Sequence, residues 1–212
     1  MSENKNHPLQ KVEKSNQSDW LKKLEQASGK SIMPRLPMLG SIYFLLDCSG
    51  SMSSDNKFQN AKNGGIEYAM EANKKGYKIG LISFGSSAKK ILDLQNEIEN
   101  FKIQMLKLEL EGSTNLTAAI RIAREILSSN IGERIIFVVT DGFPDDANSA
   151  IIEAQLASKS GIEIMTLGTD DADLHFLNSI ATQKGFSAKV DRQNLQKGIK
   201  EMSNLLPNKR IE

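Results

Sequence analysis

A chain of 212 residues with 39% hydrophobic and 25% charged residues can bury one core of its own without disulfide staples. Its 27 basic and 26 acidic residues leave a net charge of +1, and aromatics make up 6%, so neither the basic face of a nucleic-acid groove nor a base-stacking platform is expected. The single cysteine, Cys48, excludes an intramolecular disulfide and favours a reducing compartment. MSENKNHPLQ holds no apolar leader and no apolar run approaches the ~20 residues of a membrane helix, so the expected location is cytoplasmic, with no membrane contact.

Residues 1–37 are polar, and Met1 to Gln17 offers too little apolar surface to offset the entropy of ordering, so this tail is expected to be largely disordered. Within it, Ser18 can cap a short helix over 18–27, with Trp20, Leu21 and Leu24 on one side. Such a helix either packs on its own domain or serves as a detachable anchor. The expected domain spans 38–206, and 207–212 is a C-terminal tail.

Ile42 to Leu46 is a continuous apolar run ending in Asp47, the mark of a strand buried on both faces. A helix is predicted over 58–75, a strand over 77–84, a short strand over 88–94 after the turn Gly85-Ser86-Ser87, and a helix over 97–105. Thr114 to Ser128 forms an amphipathic helix, with Leu116, Ala119, Ile120, Ala123 and Leu127 on its apolar side. Arg134 to Thr140 is a second buried strand, followed at once by Asp141. A helix at 146–160, a strand at 162–168, a helix at 173–184, a strand at 186–190 and a helix at 192–206 complete the series. The alternation predicts an α/β fold: a doubly wound, mostly parallel sheet of about six strands with helices on both faces.

Two buried strands thus end in aspartates, Asp47 in FLLDCSGSM and Asp141 in IIFVVTDG. Ligands of open α/β sheets bind outside the carboxyl ends of the strands, so both carboxylates belong to one edge. Ser49 and Ser51 alternate with Asp47 around Gly50, and Thr114 stands at the mouth of the loop EGSTNL. Two carboxylates and three hydroxyls are hard oxygen donors, suited to magnesium, manganese or calcium. Taken singly, each string is as readily a helix cap or a turn. Their order along the chain is the more specific observation.

FLLDCSGSM, EGSTNLTAAI and VVTDGFPDD resemble the three segments of the metal-ion-dependent adhesion site of von Willebrand factor A domains, also called integrin I-type domains. The resemblance covers 38–206 and implies a complete metal site at Asp47, Ser49, Ser51, Thr114 and Asp141. It also implies one short antiparallel edge strand, which 88–94 fits, and a cation whose last coordination place is taken by an aspartate or glutamate of a protein partner. PRLPMLGSIYFLLDCSGSM is further similar to stand-alone intracellular bacterial members, including those of tellurite-resistance and related stress operons. The implied role is an adaptor, monomeric alone, and no enzyme.

The rival is a magnesium-dependent phosphohydrolase with an aspartate after its first strand. Its general acid would be a second aspartate two residues on, where this chain has Ser49. No GxxxxGK[ST] loop and no G-x-S-x-G elbow occur, and the two histidines, His7 and His175, offer no triad. Asp145 and Asp146 are expected to cap the helix after them, Glu111 to be solvated, and Cys48 to be a small buried hydrophobe turned away from Asp47. Ser53 to Lys57, Gly112 to Leu116 and Gly142 to Asp146 are expected to crown the site and set partner choice.

Overall fold

The computed structural model describes residues 40–207. The expected helix at 18–27, the start of the domain at 38 and residues 208–212 lie outside them. The order is β1 (Gly40–Asp47), α1 (Lys57–Lys74), β2 (Tyr77–Phe84), β3 (Ala88–Gln95), α2 (Ile98–Leu106), α3 (Leu116–Leu127), β4 (Glu133–Thr140), α4 (Ala147–Lys159), β5 (Glu163–Gly168), α5 (Leu174–Ile180), β6 (Ser187–Lys189) and α6 (Leu195–Met202). The strands form one sheet in the order β3-β2-β1-β4-β5-β6, parallel except for the β2–β3 pair.

All eight residues of β1 are buried, because helices cover both sheet faces. The two-residue side-chain period sorts its apolar run between two cores. Ile42, Phe44 and Leu46 join Phe137 and the inner faces of α1, α2 and α6. Tyr43 and Leu45 join α3, α4 and α5 on the other side. Phe44, Tyr68, Phe101 and Phe137 form an aromatic knot in the first core, with centroids 4.6 Å apart for Tyr68 and Phe137 and 5.3 Å for Phe44 and Phe137. Among the described residues, no helix is long and apolar enough to cross a membrane.

Four elements depart from the sequence expectation. β3 is eight residues long, as long as β1, rather than short. Its register against β2 shifts around Leu81, and its outward residues are exposed because it is an edge. α5 stops at Ile180, where Ala181 turns extended and the Thr182 hydroxyl accepts from the Ile164 amide at 3.0 Å. The stretch 192–206 divides into α6 flanked by 3-10 turns at Arg192–Asn194 and Ser203–Leu205. Finally, Gly50–Asn56 forms 3-10 turns with no expected counterpart, broken at Ser54 and at Asp55 and Asn56, which have φ of 53° and 58°.

Gly80 lies beside Tyr43 on the neighbouring strand, and a Cβ there would stand 2.4 Å from the Tyr43 ring. Gly80→Ala is expected to lower stability by about 1–3 kcal/mol through this overpacking, read as a lower thermal midpoint with the fold retained by circular dichroism.

Candidate metal centre

β1 ends at Asp47, which is fully buried. Its Oδ1 accepts the Ser49 amide at 2.8 Å and its Oδ2 accepts the Thr140 hydroxyl at 2.5 Å. Parallel pairing of β1 with β4 sets Leu46 opposite Val139, so Thr140 and Asp141 emerge beside Asp47. Ser49 Oγ and Ser51 Oγ are 2.9 Å apart, and Ser51 donates to Asp141 Oδ1 at 2.7 Å. Since Ser51 has one hydroxyl proton, committed to Asp141, Ser49 is the donor between the serines. Four of the five expected donors therefore converge in one hydrogen-bonded group.

Thr114 is placed differently. No hydrogen bond ties its hydroxyl to the other four among the described residues, and main-chain bonds set its position. Gly50 donates to the Gly112 carbonyl at 3.0 Å, Glu111 to Cys48 at 2.6 Å, and Asn115 to Gly85 at 2.8 Å. Asn115 then caps α3 by accepting from the Ala118 amide at 3.1 Å. The expected helix start at Thr114 thus moves two residues on, which leaves Thr114 in the loop that faces Asp145.

Three residues differ from their expected roles. Lys57 is not part of an exposed rim: it is 2% exposed, and its ammonium pairs with Asp141 and, at 3.0 Å, with Asp171. Asp145 does not cap α4. It accepts the Thr114 amide at 3.1 Å and the Ser113 hydroxyl, and its own amide donates to the Thr114 carbonyl at 3.1 Å. Asp146 does cap α4, through the Ser149 amide at 3.0 Å. Glu111 is paired with Lys89 at 2.7 Å rather than merely solvated. Cys48 is buried in the first core as expected, with its thiol pushed up to about 12, chiefly by that burial, so it is unreactive near neutrality.

Burial dominates the electrostatics. It raises the Asp47 carboxyl to about 6, against the opposing hydrogen bonds from Ser49 and Thr140, and nearby Asp141 adds to the rise. Burial alone would lower the Lys57 ammonium, but its contacts with Asp141 and Asp171 hold it above the ordinary value. Among the described residues, Asp47 has no ion-pair partner. A buried carboxylate without a counter-charge, facing convergent hydroxyl oxygens, fits a hard divalent cation. Among the described residues, no three His, Cys, Asp or Glu gather into a metal cluster, so such a site depends on its hydroxyl donors.

The profile of the von Willebrand factor type A domain matches residues 41–202. The chain belongs to the von Willebrand factor A family. Thrombospondin-related anonymous protein of Plasmodium falciparum is 28% identical over 141 residues, or 60% of this chain and 25% of that protein. The chain thus spans a quarter of that curated relative. Proximal thread matrix protein 1 of the mussel byssus, solved with zinc in its metal-ion-dependent adhesion site, superposes with a TM-score of 0.71 at 21% identity, over 79% of this chain and 46% of that one. The von Willebrand factor domain of the pilus tip protein Mfa5 of Porphyromonas gingivalis gives 0.70 at 14% identity, over 80% and 95%. Likenesses at this identity establish the fold. Von Willebrand factor A domains bind a divalent metal at this motif and commonly mediate metal-dependent protein interactions.

Asp47 titrates at about 6 in the fold against an ordinary 3.8, so the native state holds the extra proton. The contribution of Asp47 to the stability of the chelated protein therefore falls as pH rises from about 4 to about 6 and is flat above. Chelated Asp47→Asn is expected to gain stability relative to chelated wild type over that window and to match it below. Urea denaturation in chelator across the pH range measures the difference.

Proposed function

We propose that this domain is a divalent-cation-dependent adaptor that grips an aspartate or glutamate of a protein partner at the Asp47 edge of the sheet. The single observation that carries the reading is the convergence of Asp47, Ser49, Ser51 and Asp141, with the Thr114 loop stitched beside them. Magnesium is the expected ion, with manganese or calcium as substitutes, because every donor is a hard oxygen. When bound, it supplies a localised positive charge that an outside carboxylate can meet.

The chain's own residues divide the remaining work. Thr140 and the Ser49 amide fix both oxygens of Asp47, and Ser51 fixes one oxygen of Asp141. Asp145 holds the Thr114 loop through the Ser113 hydroxyl and the Thr114 amide. Around this core, Phe143 is 55% exposed and rests on Phe176 at 5.3 Å, a firm apolar shoulder beside the acidic centre. Thr114, Thr117, Arg121 and Ser149, with Asp145 and Asp146, line an open groove. One carboxylate contact is a small interface, so these flanks supply the remaining area and the choice of partner.

A setting in an intracellular bacterial stress or signalling complex is part of this proposal. Its support is the likeness of PRLPMLGSIYFLLDCSGSM to stand-alone bacterial members, and a lone, buried cysteine that suits a cytoplasmic, reducing compartment. The domain is proposed to be monomeric alone and not to bind nucleic acid or membrane. Catalysis is not part of the reading. Ser49 stands where a phosphohydrolase would need its acid, and it is committed to Ser51.

Wild type is expected to bind one manganese ion, with Asp47→Ala losing binding and Thr114→Ala weakening it about tenfold or more. Partner capture should be lost in chelator and in Asp47→Ala, yet change little with sodium chloride. Calorimetry and a binding titration with and without chelator check both. Partner affinity that ignores the metal, or magnesium-dependent phosphate-ester turnover abolished by Asp47→Asn, overturns the proposal.

A further inference from the structure

Lys57 has a costly position. It is the first residue of α1, where the helix dipole opposes a positive charge. It is 2% exposed, and burying an ammonium is unfavourable without strong pairing. The two residues before it, Asp55 and Asn56, both have left-handed φ, a conformation that costs free energy outside glycine. Asp55 is fixed there by an ion pair with Arg192 at 2.5 Å, and Arg192 also holds Asp170 at 2.8 Å and Asp171 at 3.2 Å. This outer network reaches Lys57 through Asp171, which pairs with its ammonium at 3.0 Å beside Asp141. Apolar packing explains none of it.

We propose that Lys57 is a fixed internal cation of the metal site, which weakens its hold on a bare divalent ion and makes the partner's carboxylate part of the complete complex. The inference rests on the adaptor reading above. The argument is a charge count in a buried space. Asp47 and Asp141, 0% and 1% exposed, contribute two negative charges and Lys57 returns one positive. Asp171 also pairs with Lys57, at 3.0 Å, but it is half-exposed, so water screens its charge as it screens those of Asp55, Asp170 and Arg192, and these weigh less than the buried three. Without Lys57, two carboxylates would formally neutralise a divalent ion, and an outside anion would meet only the ion's local field, with no net positive charge to balance. With Lys57, one positive charge remains, and a single carboxylate from outside cancels it. Lys57 also occupies one Asp141 oxygen while Ser51 occupies the other, so Asp141 is the donor whose availability it controls. Metal and carboxylate then favour each other's binding, by reciprocal linkage.

The test is calorimetric titration of manganese into the whole chain, as wild type and as Lys57→Met, in sodium chloride and in sodium acetate at about 0.1 M and equal ionic strength. Lys57→Met is expected to bind manganese alone about tenfold tighter than wild type. Acetate is expected to tighten manganese binding severalfold in wild type and hardly at all in Lys57→Met. A merely structural lysine would leave the acetate effect unchanged. If Lys57→Met does not fold in chelator, manganese is expected to restore its fold; a variant still unfolded at saturating manganese makes Lys57 a structural residue and overturns the inference. Equal manganese affinity and equal acetate effect in the two proteins also overturn it, leaving the adaptor reading intact. Absence of manganese binding in both proteins overturns the two readings together.

Discussion

Two carboxylates with almost no exposure stand at one edge of the sheet, linked in series through Ser49 and Ser51. Repulsion and desolvation act on both, and the surrounding structure answers these two penalties. β1 lies between two parallel partners, so the penalty is imposed at the centre of the sheet, where the backbone cannot relax toward solvent. Asp47 is met by an amide and a hydroxyl, which orient it without neutralising it. Asp141 is met by a hydroxyl and an ammonium. The asymmetry leaves Asp47 as the carboxylate with an unmet demand for positive charge, the demand that the proposed cation would meet.

The scaffold around this demand is stiff for ordinary reasons. Each face of the sheet is sealed by its own apolar cluster, and the aromatic knot of Phe44, Tyr68, Phe101 and Phe137 lies directly beneath the strand that carries Asp47. Arg121 and Arg124 both reach Glu153 and tie α3 to α4, flanking the Thr114 loop. Lys62 donates to the carbonyls of Leu106 and Leu108 and lies over the Phe58 ring at 4.4 Å, holding the chain where it leaves α2. These polar contacts lie outside the acidic group and keep its walls in place.

Strands buried on both faces leave continuous apolar runs, and for that reason β1, β2, β4 and β5 were legible within two residues. The convergence of Asp47, Ser49, Ser51 and Asp141 followed from those strands sharing a direction. Other features left no such trace. A lysine opening a helix reads as a solvated charge, and only the left-handed pair Asp55-Asn56 turns it inward. The one usable hint was that Asn and Asp are the non-glycine residues most often left-handed. In the turn TDGFPDD, the adjacent aspartates Asp145 and Asp146 have different partners. Asp146 caps α4 while Asp145 braces Thr114, a division that needs the backbone path after Pro144. Thr140, the partner of Asp47, was hidden because a threonine ending a strand looks like any β-former.

The loops of the acidic edge are joined largely through their peptide groups: Gly50 to Gly112, Glu111 to Cys48, Asn115 to Gly85 and Asp145 to Thr114. Peptide groups are common to nearly every residue, so these joints place little demand on the side chains displayed above them. Outward positions such as Ser87 and Phe143, whose side chains make no hydrogen bond among the described residues, are therefore free to drift under mutation while the acidic centre stays in register. Diversification of recognition and preservation of the inner site become separate problems. A library confined to such positions would search new specificities on an unchanged framework, much as a lineage could do by duplication and divergence.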